Sequence, residues 1–184
     1  MQKKPQPKSK RSIPVLFTAQ EIKERIEILA GEIAKHAGDE MTIVALLRGS
    51  FMFTADLVRE LYAIGVHPEI DFLTLSSYGS SMQSSGEVKI GQDTRDDMAG
   101  RNVLIVDDIL ETGRTLQFAT ELMKSRGAKT IRSAVLLEKP GKLEVKVKAD
   151  FVGFSIPDKF VVGYGLDYAN HYRELPFIGF MDVH

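Results

Sequence analysis

The chain has 184 residues, 43% of them hydrophobic and 27% charged, with no cysteine and a formal net charge of −1. That length fits about one domain, able to bury roughly 70% of its unfolded surface without covalent staples, and the lack of cysteine excludes a disulfide scaffold, a thiolate zinc site, an iron–sulfur centre and a cysteine nucleophile. The longest apolar run, Met41 to Leu47, has seven residues and ends at Arg48, far short of the roughly 20 that a membrane span needs.

Residues 1–12 carry five positive charges (Lys3, Lys4, Lys8, Lys10, Arg11) and no acid. The remaining residues therefore hold six net negative charges, the chain's −1 less the tail's +5. With no apolar core to it, this segment is no secretory signal, and its composition predicts a disordered basic tail that could still touch an anionic partner. A mildly acidic body does not suit duplex DNA. A cytoplasmic globular protein is expected, with a single domain over 13–184.

Order is expected from about Ile13. Thr18 and Glu21 have capping-box spacing, and Ile22, Ile26, Leu29 and Ile33 then repeat at helical period to about Ala37 and Gly38. Thr42 to Leu47 is a continuous apolar run that predicts a strand buried on both faces. A second helix is predicted from about Ser50 to Ile64, with Phe51, Ala55, Val58 and Leu61 along its apolar stripe. Glu69 to Ser76 reads as a strand, followed by a loop rich in serine and glycine over 77–86. Strand patterns resume at Glu87 to Ile90 and at Asn102 to Asp107, and a third helix is predicted from Thr115 to Arg126. Gly127 stands where a helix C-terminal glycine belongs, and Thr130 to Leu137 is a further strand.

Strand and helix alternate over residues 18–137, which predicts an α/β fold with a parallel sheet flanked by helices. From 138 to 184 the helical period is lost. Short apolar runs there (Asp150 to Phe154, Phe160 to Tyr164, Pro176 to Phe180) suggest a smaller irregular or antiparallel addition.

The segment Val103-Leu-Ile-Val-Asp-Asp-Ile-Leu-Glu-Thr-Gly-Arg-Thr115 carries the chemistry. A buried strand delivers Asp107 and Asp108 towards its C-terminal end, where open α/β sheets bind ligands. Glu111 follows, and Thr112, Gly113, Arg114 and Thr115 open a helix whose free N–H groups can hold a phosphate. Acids beside a phosphate cradle suit a sugar phosphate, the carboxylates accepting from vicinal hydroxyls. A turn with N-capping aspartates would need one acid, not three.

These thirteen residues resemble the ribose-phosphate signature of the type I phosphoribosyltransferases. From about Leu46 to Arg173 the chain resembles the hypoxanthine-guanine members of that family. The resemblance implies their fold, with a small hood formed from the C- and N-terminal parts, and transfer of a phosphoribosyl group from phosphoribosyl pyrophosphate to N9 of a 6-oxopurine in purine salvage. Leu46-Leu-Arg-Gly-Ser50 looks like the pyrophosphate loop, with Arg48 where many members have Lys, Gly49 behind it, and a cis peptide between Leu47 and Arg48. Ser77 and Tyr78 resemble the signature dipeptide of the catalytic lid. Lys139 is similar to the residue that donates to the purine 6-oxygen.

Within Ile156 to Asp167 the resemblance makes Phe160 the stacking platform and Val161 the backbone reader of the base. It gives Asp167 a metal-bound water, and Arg173 the pyrophosphate. Asp107 and Asp108 would bind ribose, Glu111 to Thr115 the 5′-phosphate, and Glu111 would also be the general base, where the family usually has Asp. Mg²⁺ near Asp107, Asp108 and Asp167, and a homodimer or homotetramer, are implied too. Two other readings stay open: the same sugar site with another base such as xanthine, and a nucleotide-sensing regulator that binds nucleic acid. Membrane contact is not expected.

Overall fold

Thr18 starts the first helix with a reciprocal pair of bonds. Its hydroxyl accepts from the Glu21 N–H at 3.2 Å while its own N–H donates to the Glu21 carboxylate at 2.8 Å, the capping box that the spacing predicts. The computed structural model describes residues 13–37, 40–77, 88–95 and 97–181. The expected tail at 1–12, Tyr78 and nearly all of the serine-rich segment lie outside them. Before the helix, Val15–Phe17 forms β1; the helix itself, α1, is Ala19–Ala34 and ends a turn earlier than expected. It buries Ile22, Ile26, Leu29, Ala30 and Ile33.

β2 (Met41–Leu47) leads into α2 (Phe51–Ala63), and β3 (Glu69–Ser77) precedes β4 (Val88–Gln92). α2 buries Phe53, Thr54, Leu57 and Leu61, while Phe51 and Ala55 face outwards. The expected stripe was therefore rotated. Phe53, Leu57 and Leu61 lie at i, i+4, i+8 and bury more apolar surface against α1 than a face built on Ala55 could.

β5 (Asn102–Leu110) feeds α3 (Arg114–Ser125), after which Gly127 takes φ +77° as the expected C-terminal glycine. β6 (Thr130–Glu138), β7 (Phe151–Ser155), β8 (Val161–Val162) and β9 (Ile178–Phe180) complete the described elements. β5 runs three residues beyond its expected end because Ile109 and Leu110 still pair with Leu137 and Glu138 of β6.

The large sheet has the order β4-β3-β2-β5-β6-β7. Five strands are parallel and β4 is an antiparallel edge. α1 and α2 cover one face and α3 the other. Along β5, Leu104 and Val106 join the first core while Val103 and Ile105 join the second, the period-2 alternation of a strand buried on both sides.

β7 lies in the stretch beyond residue 137 that was expected to belong mainly to a smaller irregular or antiparallel addition, yet it joins the main sheet. It pairs parallel with β6, and the Arg25 guanidinium of α1 donates to the Gly153 and Val152 carbonyls at 2.8 and 2.7 Å. The hood is a second sheet, β1-β9-β8, antiparallel throughout. Among the described residues no helix is long and apolar enough to cross a membrane.

Because β3 lies on one side of β2 and β5 on the other, the connections leaving β2 and β5 diverge. A crevice opens at their carboxyl ends.

Candidate active site

The loop leaving β2 is drawn into one tight turn, with the Ser50 hydroxyl donating to the Leu46 carbonyl at 2.6 Å. The Leu47–Arg48 peptide is cis, as the resemblance implied. Gly49 lies against β5 so closely that a Cβ there would sit 1.5 Å from Asp108 Oδ2. Only glycine fits.

Asp107 is buried and Asp108 half-buried. Asp107 accepts from the Asp108 N–H at 2.9 Å, and Asp108 from the Ile109 N–H at 2.9 Å. Burial, and then the neighbouring Asp108 charge, raises the Asp107 carboxyl well above the usual range. Burial also raises Asp108, against hydrogen bonds and the Arg173 guanidinium that pull it down. Two such acids side by side favour whatever relieves their charge: hydroxyl donors or a cation.

Beyond β5, Glu111 and Thr112 lead to Gly113, which takes φ +82° immediately before α3. Val147 and Leu143 would lie 2.5 and 3.0 Å from a Cβ at that position. The connector from β6 to β7 thus supports the turn from behind, and Glu144 ties it further. Its N–H donates to the Thr112 carbonyl at 2.9 Å and its carboxylate pairs with Arg114 at 2.6 Å. The first N–H groups of α3 have no partner within the helix and face the crevice as an anion cradle.

The hood supplies the remaining wall. Arg173 pairs with Asp167 at 2.7 Å and donates to the Gly165 carbonyl at 2.6 Å. Gly165, at φ +98°, presses on the Gly49 carbonyl, which a Cβ would approach to 2.1 Å. Tyr164 reaches back to Asp56 of α2 through its hydroxyl, and burial with that carboxylate pushes its phenol far up.

A cleft of about 470 Å³ results, lined by Arg48, Gly49, Asp107, Asp108, Glu111, Thr112, Gly113, Thr115, Asp167 and Arg173 with an apolar wall that includes Leu46, Leu75 and Leu116. Of the remaining expected residues, Arg114 turns to Glu144. Lys139 lies beside the cleft, buried, its Nζ 3.3 Å from Glu111 Oε1. Phe160 is exposed and meets Tyr168 edge-on at 5.7 Å. Val161 is buried opposite Phe180 in the hood. Ser77 closes β3.

Among the described residues no three acid, histidine or cysteine side chains gather as a metal cage. Asp167 has one oxygen on Arg173 and accepts from the Asn170 N–H at 2.7 Å with the other. The pair Asp107 and Asp108 still fits a hard cation that takes most of its ligands from phosphate and water.

Sequence reasoning missed the supports: Glu144, Tyr164 with Asp56, and Asp158 with Lys142. Asp158 lies within the stretch from Ile156 to Asp167, but one acid in a Pro-Asp-Lys turn carries no signal of its own.

Residues 15–169 match the family model for the phosphoribosyl transferase domain. The chain belongs to the phosphoribosyltransferase family. It is 49% identical over 173 residues to the hypoxanthine phosphoribosyltransferase of Escherichia coli K12, covering 92% of this chain and 96% of that one. With the hypoxanthine-guanine phosphoribosyltransferase of Bacillus subtilis it shares 45% over 166 residues, covering 90% and 91%. Among solved structures, a hypoxanthine phosphoribosyltransferase from Staphylococcus aureus superposes with a TM-score of 0.85 at 41% identity, over 91% of this chain and 90% of that one. A ternary substrates complex of a Lys-to-Arg mutant of the Trypanosoma cruzi hypoxanthine phosphoribosyltransferase gives 0.85 at 40% identity, over 91% and 94%.

Proposed function

We propose that the chain is a purine-salvage transferase that moves the 5-phosphoribosyl group of phosphoribosyl pyrophosphate to N9 of hypoxanthine or guanine, giving IMP or GMP. The observation that carries this reading is one cleft bounded by the paired acids, the helix-start cradle and the Arg48-Gly49 loop. N9 attacks C1 of the ribose, the C1–oxygen bond to pyrophosphate breaks, and the centre inverts. The proton on N7 passes to the Glu111 carboxylate.

Asp107 and Asp108 accept from the ribose hydroxyls, and residues 111–115 hold the 5′-phosphate. Arg48, the Gly49 amide and Arg173 face the departing pyrophosphate, whose growing charge must be stabilised. Mg²⁺ carried on the donor's phosphates, beside Asp107 and Asp108 and with water-mediated help from Asp167, would share that charge. Lys139, Phe160 and Val161 take the purine by its 6-oxygen, ring face and pyrimidine edge. Ser77 and Tyr78 take the catalytic role of keeping water from the reacting sugar. The charged donor does not cross lipid, which suits a cytoplasmic enzyme.

Converting Asp107 and Asp108 together to Ala is expected to weaken donor binding by about 2–4 kcal/mol. Calorimetric titration with donor and Mg²⁺ measures this, and an unchanged affinity removes the ribose assignment. Initial rates with hypoxanthine, guanine, xanthine and adenine test the reaction itself; no turnover of any of them overturns it.

Ile70 and Phe72 stand exposed on β3, on the side of α1 and α2, and favour a second copy of the chain as their cover. Light scattering is expected to give a dimer or tetramer. A monomer at micromolar concentration contradicts it.

A further inference from the structure

Lys139 follows β6, its backbone N–H donating to the Leu110 carbonyl at 2.9 Å. Its side chain is 6% exposed, so its charge cannot be left to water. A buried ammonium is stable only beside a counter-charge. Two carboxylates supply it: Glu111 Oε1 at 3.3 Å and Asp158 Oδ1 at 3.9 Å.

The two acids differ in what the reaction asks of them. Glu111, on the reading above, turns to the purine and becomes neutral when it takes the N7 proton. Once it has turned to N7 in the bound complex it no longer balances Lys139, and after the transfer it cannot. Asp158 takes no part in the chemistry. It stands in the turn between β7 and β8, where the Lys159 N–H closes on the Pro157 carbonyl at 2.8 Å. Its second oxygen, Oδ2, is held by Lys142 at 2.6 Å. Lys142 keeps the Asp158 carboxyl below the usual range, so it remains ionised. One carboxylate thus spans two lysines, one at the rim and one inside.

We propose that Asp158 is a positioning residue for base selection: it is the standing counter-ion that keeps the Lys139 ammonium aimed at the purine 6-oxygen while Glu111 takes the proton. The proposal rests on the reading of Lys139 as the residue that meets the base. At 3.9 Å the contact is an ion pair and not a hydrogen bond, so its effect is electrostatic and depends on charge more than on shape. The plain alternative is a surface pair between Asp158 and Lys142, which would contribute next to nothing.

Steady-state kinetics on the full chain separates the two. Asp158→Asn keeps the shape and removes the charge. It is expected to raise KM for hypoxanthine and guanine about tenfold, with KM for the sugar donor within about twofold and Tm unchanged. Asp158→Glu restores the charge and is expected to recover most of the loss. Lys139→Ala is measured alongside. If Lys139→Ala raises KM for the base and Asp158→Asn does not, the proposal falls alone. It falls alone too if Asp158→Asn raises KM for donor and base alike. If Lys139→Ala itself leaves KM for hypoxanthine unchanged, the reading of the base pocket falls and takes the proposal with it.

Discussion

Adenine is expected to react with a kcat/KM about 10⁴–10⁵ below that of hypoxanthine, since sites built to hydrogen-bond a substrate group reject analogues lacking it by that much. A charged Lys139 can only donate. Its ammonium is enclosed between Glu111 and Asp158 and cannot swing out to water to escape a bad partner. The 6-oxygen of hypoxanthine accepts from it; the 6-amino group of adenine presents a second donor. On the proposed reading the Val161 backbone adds another mismatch, because N1 is a donor in 6-oxopurines and an acceptor in adenine. Rates with both bases at saturating donor measure the ratio, and Lys139→Ala should shrink it by slowing the 6-oxopurines. Comparable rates with adenine would remove the base assignment and leave only the sugar-phosphate half.

Glu111→Gln is expected to lower turnover by roughly 10²–10⁴, the usual contribution of a positioned general base. The amide keeps the length and loses the proton acceptor. Donor affinity should hardly move, because Glu111 is only one residue of a cradle formed mainly by backbone groups. Single-turnover measurement with donor bound separates the chemical step from binding. A variant retaining more than half of the normal rate would leave Glu111 a loop residue. The family's usual Asp is one methylene shorter, and the structure accommodates the longer side chain: Glu111 lines the cleft and also reaches Lys139.

Much of this was legible in the residues. The alternation of buried strands with amphipathic helices gave α1, β2, α2, β3, β5, α3 and β6 in order, because each carries its own period. The paired acids and the glycine turn before α3 stood in the residues themselves; Lys139 was marked only by the resemblance to the family. What escaped was set by distant partners. β1 is three residues whose partner, β9, lies at the other end of the chain. β7 has the composition of any short apolar run, and only its pairing with β6 puts it in the main sheet. The face of α2 turned on packing volume, which periodicity alone ranks poorly for a helix bearing both Phe51 and Phe53. Glu144 and Asp158 matter through what they touch, and a single acid in a loop announces nothing about that.

The hood sheet has β9 as its middle strand, between β1 and β8. A ribosome delivers β9 last among the described elements, long after β2, β5 and α3 have left it. A nascent chain can therefore bring together the paired acids of β5 and the turn at the start of α3 while β8, which carries Val161, still lacks its neighbour. Such an intermediate would still lack the hood wall of the cleft, Asp167 and Arg173 included. During synthesis the sheet side of the cleft can therefore form first, and its hood wall only once the final strand slots between its neighbours.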